Sequence, residues 1–255
     1  MKIISLNTWG GMAGKEKLLE FFDKHKKDID VFCLQEIWSA PYKHLEGASA
    51  GPIELQNDKI MTYGLQDISN ILSEHIPYFR PHHLENYGLL SLVNKNINVI
   101  EEGEVFVYKE KGYVHEKNIG NHARNIQYVN LKTINGIITV VNFHGLWNGK
   151  GKTDSDDRLL QSENIINFLK NISNQIIFCG DFNLLPNTES IKKFEEFGLR
   201  NLITEYGIKS TRTSYYTKPE KHADYIFVSH GIKVNDFGVL SDEVSDHLAM
   251  YIDFE

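Results

Sequence analysis

A short apolar run, Gln175-Ile176-Ile177-Phe178-Cys179, that stops at Gly180-Asp181-Phe182-Asn183 limits the folds open to this chain more than any other feature. It is too short for a helix and reads as a buried strand. Side chains alternate along an extended chain, so Asp181 and Asn183 project together while Phe182 returns to the core. Ser245-Asp246-His247 stands in the same way against Leu248-Ala249-Met250-Tyr251-Ile252. Two hard oxygen donors on one strand edge suit Mg²⁺, which takes a few carboxylates and leaves positions for water and phosphate.

The rest of the chain alternates the same two textures. Lys2–Asn7 and Ile29–Gln35 read as buried strands, and Lys15–Lys26 as a helix with Leu18, Leu19 and Phe22 on one face. Trp38–Asp58 has Pro41, Gly47, Gly51 and Pro52 without a period, which predicts a long loop. Gly64–His75 returns to helix. From Tyr87 to Phe143 strands are separated by turns, and Asn135-Gly136 between two apolar runs predicts a two-residue hairpin. Helices at Asp157–Lys170 and Thr188–Phe197 alternate with strands at Gln175–Gly180, Asp224–Val228, Ile232–Leu240 and Leu248–Phe254. Many strands and few helices in mixed order are not a simple βαβ series. Two packed sheets with helices outside bury both kinds of apolar face, which makes the expected class α/β.

With 255 residues, 41% of them hydrophobic, and no repeat or linker, the expectation is one domain over 1–255 and a monomer. A net charge of −7 argues against a strongly electrostatic, sequence-blind nucleic-acid binder, which needs many Lys and Arg on phosphates, but leaves room for a local basic rim around a metal site. Cys33 and Cys179 both lie in apolar runs, where a free thiol behaves as a small hydrophobe, and this fits a reducing compartment. No apolar run reaches the ~18 residues of a membrane span. Polar Asn7 cuts the opening apolar run too short for a signal peptide, so a cytoplasmic location is expected.

Polar residues end the strands at Asn7, Glu36, Asn142, His144, Asp181, Asn183, Asp224, Asp246 and His247. Any one of them serves elsewhere as a turn or cap residue. Their assembly is the signal. The ordered strings Leu6-Asn7-Thr8-Trp9, Leu34-Gln35-Glu36, Asn142-Phe143-His144-Gly145, Gly180-Asp181-Phe182-Asn183, Asp224-Tyr225-Ile226-Phe227 and Ser245-Asp246-His247 resemble the endonuclease/exonuclease/phosphatase superfamily over nearly the whole chain. The resemblance implies a four-layered α/β sandwich and a Mg²⁺-dependent hydrolase of phosphate esters, with Mn²⁺ as a substitute. It further implies that Glu36 is the principal metal ligand, assisted by Asn7, and that Asp181, Asn183 and Asp246 form the opposite wall, Asp246 as a further ligand. Asp224 then orients His247, and His144 takes the second imidazole position. Such chemistry needs these residue types: a cation and a protonated imidazole stabilise charge on the phosphoryl oxygens, and a carboxylate or neutral imidazole accepts the proton of the attacking water.

His144 favours the branch with nuclease, sphingomyelinase and deadenylase members, and a phosphodiesterase or nuclease acting on DNA or RNA is the leading expectation. A lipid or sugar-phosphate phosphatase and a non-catalytic binder of the same fold are the alternatives. Arg124 and Asn142 are expected substrate contacts. Lys150 and Lys152, in the Gly-containing loop Trp147–Lys152, are expected to hold a second phosphate, and Arg212 beside Tyr215 to meet a base or sugar.

Overall fold

Strands apolar on both sides need cover on both sides, and the computed structural model, which describes residues 1–41, 49–50, 53–54 and 59–255, supplies it in four layers. The chain begins with β1 (Lys2–Asn7), α1 (Lys15–His25), β2 (Val31–Trp38), the two-residue strands β3 (Ser49–Ala50) and β4 (Ile53–Glu54), and α2 (Gly64–Ile71). Then come β5 (His75–Leu84), β6 (Tyr87–Asn94), β7 (Asn98–Tyr108), β8 (Val114–His115), β9 (Asn118–His122), β10 (Arg124–Thr133) and β11 (Gly136–His144). The last third holds α3 (Asp156–Leu169), β12 (Gln175–Asp181), α4 (Glu189–Glu196), β13 (Leu199–Asn201), α5 (Leu202–Glu205), β14 (Asp224–Ser229), β15 (Val234–Val239) and β16 (Met250–Phe254).

Two six-stranded mixed sheets result, in the orders β15-β16-β1-β2-β6-β5 and β13-β14-β12-β11-β10-β7. Alternation along β1 and β2 shows how the layers form. Ile3, Val31 and Cys33 face the second sheet, in a core with Val140, Ile177 and Ile226. Ile4, Leu6, Phe32 and Leu34 face outward onto Leu18, Phe22 and Ile68 of the helices. Cys33 and Cys179 are both free and buried. No helix among the described residues is long and apolar enough to cross a membrane.

Three local expectations are corrected. The helix expected over Gly64–His75 ends at Ile71, and His75 opens β5, a strand not foreseen because Pro77 and Pro81 interrupt it. Proline is tolerated there because β5 is an edge strand. The hairpin between β10 and β11 pairs Thr133 with Gly136, so its two central residues are Ile134 and Asn135. Gly136 carries the positive φ of 125° and Asn135 does not, while the Thr133 hydroxyl closes the turn on the Gly136 carbonyl. The strand expected to end at Gln35 continues to Trp38. The long loop expected over Trp38–Asp58 falls for the most part outside the described residues.

Candidate active site

The strand ends that the sequence marks meet at one edge of the sandwich, around a cavity of about 180 Å³. From the first sheet come Asn7 at the end of β1 and Glu36 in β2. From the second come His144 at the end of β11, Asp181 at the end of β12 and Asp224 at the start of β14. The turn 245–247 is tied between them: the Ser245 hydroxyl donates to the Asn7 carbonyl at 2.7 Å and accepts from the His247 N–H at 3.2 Å.

Backbone irregularities aim these side chains. The β2–β6 register shifts between Leu34 and Ile37, and Glu36 sits in that bulge at φ 60°, a left-handed conformation that costs a non-glycine residue energy. Asn183 stands at φ 54°, which asparagine tolerates better than most residues. The end of β11 and the turn after β12 approach so closely that only glycine fits. A Cβ at Gly180 would lie 2.0 Å from the Phe143 carbonyl oxygen, and one at Gly145 would lie 2.3 Å from that of Phe182. Gly180 is also at φ 142°. Gly180→Ala is therefore expected to lose about 3 kcal/mol or more of stability, from overpacking and strain together. Denaturant unfolding of the variant checks this, and an unchanged midpoint would refute the close approach.

Asp181 is the hub. It is 2% exposed and accepts the Asn7 amide at 2.9 Å and the Asn183 N–H at 2.8 Å. Nε2 of His144 and of His247 lie 3.7 and 3.6 Å from its Oδ2. Burial alone raises a carboxyl pKa, but His247, Lys152 and Arg212 outweigh it and hold Asp181 well below the usual range. Glu36 goes the other way: burial and the Asp246 carboxylate push it up. Around His247, Nδ1 lies 2.7 Å from Asp224 Oδ1, whose other oxygen accepts the Thr211 hydroxyl at 2.7 Å. Arg212 Nη1 donates to His247 Nε2 at 2.6 Å and to Asp246 Oδ2 at 2.9 Å. A guanidinium only donates, so this contact selects the neutral ring with its proton on Nδ1. Burial and Arg212 lower the His247 pKa, but Asp224, Asp246 and Asp181 prevail and raise it. Protonation of Nε2 thus breaks the bond to Arg212 and frees a donor toward the cavity. His144 is held low by burial and Arg124, and is neutral.

The structure reassigns several expected contacts. The Asn7 carbonyl oxygen accepts the Trp9 N–H at 2.9 Å, so its amide donates to Glu36 at 3.1 Å and to Asp181. In this orientation Asn7 braces two carboxylates rather than offering an oxygen to a metal. Asn142 is fully buried and does not reach the cavity: its oxygen accepts from Gln35 at 2.7 Å and its amide donates to the Leu34 carbonyl at 3.1 Å, across the two sheets. The Gly-Lys loop is clamped, not loose, because buried Arg158 donates to the carbonyls of Leu146, Gly151 and Thr153. Lys150 stays exposed on its outside. Lys152 turns inward, 3% exposed, with Nζ donating to Asn183 Oδ1 at 3.0 Å and lying over the Trp147 and Tyr216 rings. Asn183 spends its amide on the Gly145 carbonyl, so it positions Lys152. Tyr215 packs on Trp9 and accepts from Lys17, away from the cavity; Tyr216 takes its place, 4.2 Å from the Arg212 guanidinium. Arg212 does reach the cavity, held by the bridge between 212 and 247. Arg124 lines the cavity too.

Asp181, Asp224 and His247 present ligand atoms within 4.8 Å of one another. Asp224 is spent on His247 and Thr211, which leaves Glu36, Asp181 and Asp246 facing the cavity. Asp246 Oδ1 is buried without a hydrogen-bond partner. An orphaned carboxylate oxygen beside two further carboxylates fits a hard divalent cation. The sequence did not reveal the aromatic walls, Trp9, Trp38, Tyr87 and Trp147, or the histidines His83 and His122. The pair His82-His83 after Pro81, and His122 before Arg124, were the available signals.

Comparison with known proteins bears on the family and the fold. The model of the Endonuclease/Exonuclease/phosphatase family matches residues 4–247. No curated protein matches the sequence. Among solved structures, an endonuclease/exonuclease/phosphatase family protein from Bacteroides thetaiotaomicron is similar at 17% identity and a TM-score of 0.75, over 100% of this chain and 97% of its own. A mannosyl-6-phosphatase from the same organism gives 17%, 0.73, 100% and 99%. The human Nocturnin catalytic domain with bound sulfate gives 19%, 0.65, 100% and 93%.

Proposed function

Because the chain belongs to the endonuclease/exonuclease/phosphatase family, we propose that it is a divalent-metal-dependent hydrolase of phosphate esters in which water attacks phosphorus in line. The observation that carries the reading is His247, gripped at Nδ1 by Asp224 and aimed with Nε2 at Asp181 and the cavity. Glu36, Asp181 and Asp246 would hold the metal, which when bound offsets negative charge on the phosphoryl oxygens. The family is generally dependent on such a metal. Mg²⁺ suits the all-oxygen set.

The ionised Asp181 orients the attacking water, whose proton the neutral His247 accepts at Nε2. His144 faces Glu36 and Asp181 at 3.8 and 3.7 Å, which favours a proton on Nε2, ready for a phosphoryl oxygen. His247, once protonated, donates to the oxygen on which charge develops. Lys152 adds a buried positive charge on the Asn183 side. Hydrolysis of a panel tests the reading: bis-p-nitrophenyl phosphate, p-nitrophenyl phosphate, plasmid and single-stranded DNA, RNA, sphingomyelin and inositol phosphates, each with Mg²⁺. Turnover of at least one is expected, and none on any ester class would end the proposal.

Lys152 gives a pH signature. Burial lowers its pKa to about 8 despite Asp181, so the ammonium is lost as pH rises through that value. We expect kcat/KM to fall above about pH 8 and the same limb to move upward in Lys152→Arg, whose guanidinium stays charged. A limb unmoved by the substitution assigns the titration to another group.

A further inference from the structure

The cleft has a second end that the chemistry above does not use. Along the edge of the second sheet, Asp224, Asp181, His144 and Arg124 stand on neighbouring strands β14, β12, β11 and β10. Adjacent strands lie about 4.8 Å apart, so Arg124 leaves the backbone roughly 10 Å from Asp181. The Arg124 side chain is 2% exposed. Nη2 donates to the Gly120 carbonyl at 3.1 Å, while Nε and Nη1 are buried without any partner. The other two buried guanidiniums are paired: Arg158 holds three backbone carbonyls, and Arg212 holds Asp246 and leaves only its Nε without a partner. Arg124 makes no ion pair among the described residues. An arginine cannot shed its proton, and a buried charge left unpaired is costly.

Its ring neighbours add no counter-charge, and Glu36 and Asp181 act on it without forming an ion pair. His83 and His122 stack at 3.9 Å, and His82 lies 5.5 Å from His122 and 5.8 Å from His144. Burial and the Arg124 charge keep His82, His83 and His122 neutral, His83 pushed down to about 3. Nδ1 of His83 is buried without a partner in the same wall. A planar fork with two free N–H groups, flanked by neutral rings able to donate or accept, matches an oxyanion.

We propose that this end of the cleft is a second anion subsite, and that the substrate is a small phosphate ester bearing a further phosphate or carboxylate group, which Arg124 holds. This rests on the hydrolase reading above for the reacting end only. A chain of net charge −7 favours a small molecule over a polyanionic polymer.

Binding is tested without turnover, by titrating inorganic phosphate into the protein in EDTA and following its histidine ring signals by NMR. Phosphate is expected to shift His83 and His122. Shifts confined to His144 and His247, or none up to tens of millimolar, would overturn the subsite. Arg124→Gln should weaken that binding by about tenfold or more, the usual cost of a lost charge-assisted bond; equal affinity in a folded variant also overturns it. The wild-type shifts decide the question alone if the variant does not fold. In the kinetic arm, glucose 1,6-bisphosphate is compared with glucose 6-phosphate, and 3-phosphoglycerate with glycerol 3-phosphate. The doubly anionic member of a pair that is turned over should have the higher kcat/KM by about 30-fold, a margin that shrinks in Arg124→Gln. Equal losses on both members would put Arg124 on the scissile phosphate and refute the proposal. Faster hydrolysis of long oligonucleotides than of any small ester would refute the small substrate. If no ester is turned over, the hydrolase reading fails and the NMR result still judges the subsite.

Discussion

Replacement of His247 by alanine is expected to lower kcat by about 10²–10⁴, the range for a positioned proton donor or acceptor. The ring is 4% exposed, fixed at Nδ1 by Asp224, and stands within 3.6 Å of both Asp181 and Asp246. Asp224, Asp246 and Asp181 outweigh burial and Arg212 and raise its pKa. Asp224 acts through the ring, so it is a positioning residue, and Asp224→Asn should lose a large part of the same activity while its pH profile changes. Asn offers an N–H where the ring needs an acceptor, and so favours the tautomer with Nδ1 unprotonated. The double variant Asp224→Ala/His247→Ala should be scarcely worse than His247→Ala, because groups working as one unit are strongly non-additive. Losses that multiply would separate the two residues and move the proton-transfer role toward His144.

Chelation of the divalent metal should abolish turnover, with activity restored by Mg²⁺ or Mn²⁺. Glu36→Gln should keep the fold and raise the Mg²⁺ concentration needed for half activity by at least about tenfold, since the amide keeps the shape but loses the charge. Three carboxylates face the same space, and Glu36 already carries a raised pKa from burial and Asp246. That crowding is relieved by a cation. Calorimetric titration of Mg²⁺ into the resting protein reads the affinity independently of turnover. An unaltered Mg²⁺ dependence in Glu36→Gln would remove Glu36 from the metal site, and full activity in excess EDTA would remove the metal.

The layered architecture was legible because periodicity carries it: Ile3 and Ile4, or Phe32 and Cys33, are adjacent residues that must bury opposite faces. The residues facing the cavity were legible where polar types follow apolar runs: His144 and Asp181 end strands, while Glu36 sits in a bulge within β2 and Asp246 in the turn before β16. Misassignments arose where position along the chain does not fix direction. Lys150 and Lys152 are equivalent in sequence, yet Arg158 pins the loop so that only Lys152 points inward. Tyr215 and Tyr216 differ by one residue and face opposite sides of the segment held against His247. Asn142 has the strand-end signature, but its partners Gln35 and Leu34 lie across the sheet interface, which no local pattern reveals. The His83–His122 wall joins strands that are far apart in sequence, and pairing at that distance leaves no periodic trace.

The pairing of β1 with β16 has a further consequence. Lys2 lies opposite Asp253, and the Ser245 hydroxyl holds the Asn7 carbonyl, so the two extremes of the sequence are joined at the centre of one sheet. During synthesis β1 emerges long before its antiparallel neighbour β16. A nascent chain therefore exposes one edge of β1 until residues 250–254 leave the ribosome. Contacts this remote delay folding, because the long loop must close before it is rewarded. Until it closes, Asp246 and His247 are absent from the cavity, and the site stays incomplete.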